Sequence, residues 1–111
     1  MYTLKNNVQL IGYLGSNPEI IQLKNGNKMA KMTIATHDTH KNNKGEVFQE
    51  TQWHQVVAWS KKATVAEYYL TKGNKVCIEG KLSKRSYIDR DGIKRYYTEI
   101  ICQKLLMLGH K

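Results

Sequence analysis

The feature that most limits the fold of this 111-residue chain is its series of strand-like segments separated by glycine-containing turns. One helical segment lies among them. Asn25-Gly26 and Asp91-Gly92 are dipeptides that strongly predict tight hairpin turns. The segments beside these turns carry β-branched and aromatic residues, which favour strands. The chain is therefore predicted to consist mainly of antiparallel strands.

The predicted order of elements is three strands, one helix and two further strands. The predicted strands cover residues 7–14, 29–36, 50–60, 74–87 and 94–108, and a short limb covers residues 19–23. Residues 61–71 are predicted as the helix, because four of them recur at helical spacing, namely Val65, Ala66, Tyr69 and Leu70. The polar, glycine-containing segment HDTHKNNKGEVFQ, residues 37–49, is predicted to be a long mobile hairpin loop.

A sheet of five short strands can limit its exposed edges by closing into a barrel, with the helix covering one end. The order found here is that of an OB-fold, so the predicted fold class is all-β with one short helix between strands three and four. Residues 1–111 contain no repeat or linker, which predicts a single OB domain.

Charge and cysteine content narrow the classes of partner and location. Eighteen Lys and Arg against nine Asp and Glu give a net charge of +9, which indicates an anionic partner: nucleic acid, an acidic membrane or an acidic protein. The sequence has no run of 18 apolar residues and no signal peptide, so no membrane association and a cytoplasmic location are expected. Cys77 and Cys102 lack the spacing of metal ligands and are predicted to be buried free thiols, with no metal and no cofactor.

The segment ETQWHQVVAW, residues 50–59, contains both tryptophans of the chain. Trp53 and Trp59 are six residues apart, so on a strand their rings point to the same face. Val56 and Ala58 have the opposite parity and suit a narrow barrel interior. Placing both indoles inside would overfill that interior and bury Gln55, so the two rings are predicted to lie on the outside.

The strand over residues 74–87 has a similar mixed face. Lys81, Ser83, Arg85 and Tyr87 share one parity, which combines cations with an aromatic ring. Unpaired bases expose π-faces for stacking, worth roughly 1–3 kcal/mol per base, and cations attract the backbone without reading sequence. These residues predict sequence-tolerant binding to single-stranded nucleic acid, and they do not separate DNA from RNA, because stacking is indifferent to the 2′-OH.

Several longer motifs resemble those of bacterial-type single-stranded DNA-binding proteins over nearly the whole chain. They are NNVQLIGYLGSNPE, MTIAT, ETQWHQVVAW, AEYYLTKGNKVCIEGKL and DRDGIKRYYTE. The resemblance implies an OB-fold protomer, assembled as a homotetramer from two dimers and wrapped by single-stranded DNA. It also implies roles in DNA replication, recombination and repair.

The resemblance implies roles for individual aromatic residues. Trp53 and Trp59 match base-stacking positions of the family, the second being Phe in many members. Tyr87 matches a further stacking position that is often Trp. His54 matches a position associated with the subunit interface.

Basic residues are implied to contact the DNA backbone. Lys61, Lys72 and Arg85 match backbone-contacting positions of the family. Lys84, beside Arg85, and Lys41, in the predicted hairpin loop, are included in the predicted nucleic-acid-binding set.

The sequence departs from the family pattern in two places. His40 stands where the hairpin commonly has an aromatic residue, which implies that stacking there is either weakened or replaced by a charge-dependent contact. The sequence stops at Leu108-Gly109-His110-Lys111, where bacterial members usually continue into a linker and an acidic tip. This resembles a short form, for which recruitment of replication and repair proteins through such a tip is not expected.

Three other functions are alternatives to strand coating. A metal-dependent enzyme would have to use His37, Asp38 and His40, which lie in the predicted loop without a second carboxylate or a cysteine nearby, so the chain is predicted not to be an enzyme. A primosome-type OB dimer derived from the same family would assist helicase loading. The third alternative is a protein-interaction or RNA-binding OB module.

Overall fold

Long paired strands dominate the structure, a computed structural model that describes residues 5–108. The elements in chain order are β1 (Val8–Leu14), β2 (Glu19–Gln22), β3 (Lys28–Lys41), β4 (Val47–Trp59), α1 (Lys61–Tyr69), β5 (Lys75–Ile88) and β6 (Lys94–Leu108). The ends of the predicted 1–111 domain, including the predicted short C-terminus, lie outside the described residues. The described part of the chain has no helix long and apolar enough to cross a membrane.

Five of the strands close into a barrel. The sheet order β1-β5-β6-β4-β3 is completed by antiparallel pairing of β1 with β3, at Tyr13–Ala35 and Leu14–Ile34. β4 and β6 run parallel and pair only at Val56–Ile100 and Val57–Ile101. β2 adds to the outer side of β3, and α1 lies between the third and fourth barrel strands, so the predicted OB-fold is confirmed.

Alternating residues of the barrel strands fill the interior. In β3, Ala30, Met32 and Ile34 are fully buried, while Lys31 between them is exposed, as the period-two pattern predicts. Other members of the core come from each remaining barrel strand and include Leu14, Val56, Ala58, Val76, Ile78, Ile100 and Cys102.

The two thiols differ in exposure, and the prediction of two buried thiols is wrong for one of them. Cys102 is buried, and this burial raises the pKa of its thiol. Cys77 is only half-buried, because its parity in β5 is opposite to that of the core residues Val76 and Ile78. The side chain of Cys77 therefore lies on the outer face of the barrel.

The helix packs on the barrel through a narrow stripe of buried residues. Ala63, Ala66 and Leu70 are buried, whereas Val65 and Tyr69 are exposed. Small residues at positions 63 and 66 let the helix backbone approach the barrel, which leaves the larger side chains on its outer sides. The helix predicted over 61–71 is present as α1, and of the four residues at helical spacing only Ala66 and Leu70 are buried.

The prediction of a long loop over residues 37–49 is also wrong. β3 continues to Lys41, β4 starts at Val47, and the two strands remain paired along this whole arm. The turn is short because Asn42 organises it: its Oδ1 accepts hydrogen bonds from the backbone N–H groups of Lys44 (2.9 Å) and Glu46 (2.9 Å). The polar composition reflects exposure of both faces of the arm, which does not prevent strand pairing.

Closure of the barrel brings backbones into contact at two glycines. A Cβ at Gly12 would overlap the carbonyl oxygen of Ala35, and one at Gly80 would overlap that of Ile101. Gly12 therefore marks the close backbone approach that a glycine within a strand indicates.

The Gly12→Ala substitution is expected to lower the free energy of unfolding by about 1–3 kcal/mol, since the added methyl group meets backbone that cannot rotate away. Urea denaturation followed by circular dichroism measures the change. Gly26→Asn is the matched control, because Gly26 has open space around it and a φ of 88° that Asn tolerates. Equal stability of the Gly12 variant and the control would contradict the close approach.

Candidate nucleic-acid interface

Two hairpin arms extend the outer surface of the barrel. One arm is formed by the ends of β3 and β4, where every residue from 37 to 53 is exposed. The other is formed by β5 and β6, where nearly all residues from 81 to 98 are exposed. The arms hold most of the aromatic and basic residues that the sequence singles out, so these side chains are available to a ligand.

Trp53 lies on the outside of the barrel with 59% of its surface exposed, as predicted. Its ring rests on Gly15, where a Cβ would lie 2.5 Å from the ring atom Cζ3. Gly15 therefore provides a backbone surface that supports one side of the indole and leaves the other available. Gly15 was not among the site residues predicted from the sequence.

Trp59 is less exposed than Trp53, so the prediction that both rings lie on the outside holds only partly for Trp59. Trp59 is half-buried at the end of β4, opposite Met29 of β3. Between the two indoles, Gln55 is exposed but Val57 is buried, at the point where β4 pairs with β6. At strand spacing the two rings are about 20 Å apart, so they form two separate contacts.

Arg85 is held by a buried carboxylate on β6. Its Nε lies 3.2 Å from Oε2 of Glu99, a side chain that is only 5% exposed. A hydrogen bond with Tyr97 and the attraction of Glu99 raise the pKa of Arg85. The guanidinium is thus fixed in position while 45% of its side chain remains exposed.

Tyr87 pairs with Tyr97, an aromatic residue that was not among the site residues predicted from the sequence. The rings of Tyr87 and Tyr97 meet edge to face, with centroids 5.9 Å apart, and both are exposed. Tyr97 lies directly opposite Arg85 in the register of β5 and β6. Residues opposite each other in an antiparallel pair share a face, so Arg85, Tyr87 and Tyr97 form one surface.

Lys84 does not belong to that surface. Neighbouring residues of a strand point to opposite faces, so Lys84 lies on the other side of the β5–β6 arm from Arg85. Its partner in the register is Thr98, on the same side as Tyr96. Tyr96 itself lies under Lys94, whose Nζ is 5.6 Å from the ring centroid.

His40 has an aromatic neighbour in the β3–β4 arm. It lies opposite Phe48, with ring centroids 5.7 Å apart, and its Nε2 is 2.8 Å from Oε1 of Glu50. Phe48 thus supplies an exposed ring beside the position where the family commonly has one. The cross-strand register of the hairpin identifies Phe48, and that register follows from the short turn found in place of the predicted long loop.

The residues that a metal-dependent enzyme would use make cross-strand contacts. His37 Nδ1 lies 3.0 Å from Thr51 Oγ1, and Asp38 is opposite Glu50 in the register. Within residues 5–108, no three His, Cys, Asp or Glu side chains come together as a metal site requires.

The remaining predicted residues lie outside the surface formed by Arg85, Tyr87 and Tyr97. Lys61 begins α1, and Lys72 follows its end, with its backbone N–H donating to Asn17 Oδ1 at 2.8 Å. Lys41 is exposed at the tip of the β3–β4 arm. His54 is half-buried, and its Nε2 lies 2.9 Å from Thr36 Oγ1.

A cleft joins the two arms at the point where β4 and β6 separate. It has a volume of about 170 Å³. Its lining is Trp53, His54, Gln55, Leu82, Thr98, Glu99 and Ile100, and we refer to it as the β4–β6 cleft. Through Glu99 and Arg85 the cleft connects Trp53 with the Tyr87–Tyr97 pair. Three residues predicted from sequence, Trp53, Arg85 and Tyr87, therefore lie along one continuous surface.

Comparisons with known sequences agree on one family. Residues 5–108 match the model of the single-strand binding protein family. "Single-stranded DNA-binding protein 1" of Chlorobaculum tepidum is 43% identical over 107 residues, which are 96% of this chain and 66% of that protein. "Single-stranded DNA-binding protein 1" of Xylella fastidiosa is 38% identical over 96% of this chain and 79% of its own length. The chain thus spans about two thirds to four fifths of these relatives.

Solved structures with the same arrangement of strands include an SSB from Plasmodium falciparum in complex with ssDNA. It superimposes with a TM-score of 0.88 at 29% sequence identity, covering 98% of this chain and 99% of that one. A deletion mutant of the single-stranded DNA binding protein from Thermus aquaticus gives a TM-score of 0.83 at 24% identity, over 95% of this chain and 51% of the other. This second likeness concerns the fold alone.

Proposed function

The chain belongs to the single-strand binding protein family, and we propose that it binds single-stranded DNA with little sequence preference in the cytoplasm. Binding would protect unpaired strands during replication, recombination and repair. The observation that carries the proposal is the exposed Trp53 ring, supported from behind by Gly15 and continuous with Arg85 and Tyr87. The likeness to an SSB in complex with ssDNA supports single-stranded DNA as the ligand.

Stacking is proposed to supply most of the binding energy. Each base stacked on an aromatic side chain contributes roughly 1–3 kcal/mol, and this contribution is nearly independent of base identity. Trp53 and Tyr87 are exposed in the described structure, and Trp59 is partly exposed. Phe48 and Tyr97 extend the proposed set with two further exposed rings.

Electrostatic attraction is proposed to hold the backbone between the stacked bases. The net charge is +9, and the proposed contacts are Lys61, Lys72, Arg85, Lys84, His40 and Lys41. Arg85 is the best oriented of them, because Glu99 and Tyr97 fix its guanidinium. Lys84 would contact a strand that passes along the other side of the β5–β6 arm.

The protein is also proposed to assemble into a homo-oligomer, and the expected form is a tetramer of two dimers. The outer face of β1, β5 and β6 carries a row of apolar side chains, since Ile11 pairs with Cys77 and Cys77 with Leu106. Ile11 and Leu106 are 57% and 62% exposed in the single chain. A second copy burying this row would remove that apolar area from water. His54 is proposed to lie near a subunit interface.

The Trp53→Ala substitution is expected to weaken binding of oligo-dT about tenfold or more, because one stacking contact of roughly 1–3 kcal/mol is removed. The melting temperature should change little, since the ring is 59% exposed. Trp59→Ala should weaken binding and also lower the melting temperature, because that ring is half-buried. Fluorescence anisotropy of a labelled oligonucleotide and thermal denaturation provide the two measurements.

Tyr68→Ala is the control for the tryptophan variants, because Tyr68 is an exposed aromatic residue on α1. Its affinity for oligo-dT should equal that of the unchanged protein. Unchanged affinity of the Trp53 variant would exclude stacking on that ring.

Binding is expected to weaken linearly on a plot of log K against log salt concentration, because cations of the protein displace counterions from the strand. For single strands the slope is about −0.7 per phosphate contact, so Lys61→Ala combined with Lys72→Ala should reduce its magnitude by about 1.4. Lys24→Ala, in the β2–β3 turn, serves as the control for loss of charge alone. A salt-independent affinity would refute the electrostatic contribution.

Leu106→Glu is expected to reduce the particle mass in solution, because it places a charge in the proposed interface. Light scattering coupled to size-exclusion chromatography measures the mass, and Ile93→Glu, in the exposed β5–β6 turn, is the control. The unchanged protein should have the mass of four chains. A stable dimer would instead favour the primosome-type alternative, and an unaltered mass of the Leu106 variant would exclude this face.

A further inference from the structure

Glu99 is a buried carboxylate, and one of its two oxygens lacks a hydrogen-bond partner within the described structure. Its side chain is 5% exposed, and its Oε2 atom is buried without a hydrogen-bond partner. Arg85 Nε lies 3.2 Å from this oxygen, so the charge is balanced, but the pair lacks the alignment of a hydrogen bond. A buried acceptor without a hydrogen bond is costly, and an ionised carboxylate offers about four acceptor sites.

The position of Glu99 relates this carboxylate to the proposed binding surface. Glu99 lines the β4–β6 cleft together with Trp53, the exposed ring on which a base is proposed to stack. The cleft of about 170 Å³ is smaller than the 300–1,000 Å³ typical of pockets for drug-sized ligands. Its size suits one nucleic-acid base. A base inserted against Trp53 would thus have its edge close to a carboxylate.

We propose that the β4–β6 cleft is a base-recognition subsite that takes guanine in preference to thymine. Guanine stacks on Trp53 in this subsite, and Glu99 accepts hydrogen bonds from its N1–H and N2–H₂ groups. The inference rests on the proposed binding of single-stranded DNA and deepens it. Arg85 holds the carboxylate in place and offsets its charge, which would otherwise repel the phosphates.

The donor pattern of each base decides the order of preference. In a single strand the Watson–Crick edge is free to be read. Guanine presents two adjacent donor groups there, which match the two oxygens of a carboxylate. Cytosine and adenine present one amino group beside an acceptor nitrogen, and thymine presents one N–H between two carbonyl oxygens that the carboxylate repels. The remaining contacts stay indifferent to sequence, so the bias concerns one nucleotide of the bound segment.

The first test uses the unchanged protein and a set of oligo-dT strands that carry one internal substitution. Competition against labelled oligo-dT, read by fluorescence anisotropy, should show guanine raising affinity about five- to tenfold over thymine. Inosine lacks the N2 amino group and should lose much of this gain. Adenine, a purine of similar stacking area, should also fall below guanine. Equal affinities of the guanine, inosine and adenine strands would overturn the subsite.

The second test asks whether Glu99 is responsible. Glu99→Gln keeps the shape of the side chain but adds a donor that suits a carbonyl oxygen, so the guanine-to-thymine ratio should fall to about one. Glu50→Gln is the matched control: it removes a negative charge from an exposed position of β4 and should leave the ratio unchanged. Retention of the ratio in a folded Glu99 variant would overturn the proposal. Should that variant not fold, the inosine and adenine comparisons decide.

The same measurements separate this inference from the proposed function. If oligo-dT binds tightly and base substitution has no effect, the subsite fails while strand binding stands. If no strand binds at any salt concentration, the proposed function fails, and the subsite fails with it.

Discussion

The short parallel pairing of β4 with β6 within the closed barrel is the constraint on which the rest of the structure depends. These strands are parallel and pair at only two positions, whereas all the other described strand pairs are antiparallel. Closure presses backbone against backbone at Gly12 and Gly80, which leaves an interior that is filled by aliphatic side chains and methionine. Because pairing stops so soon, β4 and β6 separate and leave the cleft that contains Glu99.

Exposed aromatic rings are normally a liability, and the structure shows how this surface keeps them ordered. Trp53 lies against the backbone of Gly15, which supports one side of its ring. Tyr87 is held by its edge-to-face contact with Tyr97. Arg85 is oriented by Glu99. A surface ordered before binding loses less conformational entropy when a strand is bound.

Much of the fold could be predicted from local patterns, and the errors share one cause. The turns at Gly26 and Gly92, both with positive φ, follow from their sequence, as does the period-two burial of β3. The 37–49 arm was mispredicted as a loop, and the buried face of the helix was not predicted, because strand pairing and helix packing both depend on what lies next to these segments. The helix contacts the barrel through the small residues Ala63 and Ala66 rather than through the larger Val65. In the arm, cross-strand pairing forms despite the polar composition.

The sequence by itself determined the order of strands and helix along the chain, the outward direction of Trp53 and the cationic character of the protein. Each of these follows from residue alternation, turn chemistry or net charge, which are local or additive properties. Only the tertiary structure decided which of these residues act together. It placed Trp53 and Arg85 on either side of Glu99 and turned Lys84 away from them. The physical reason is that register and barrel closure join strands distant in the chain, and no local pattern specifies which side chains then meet.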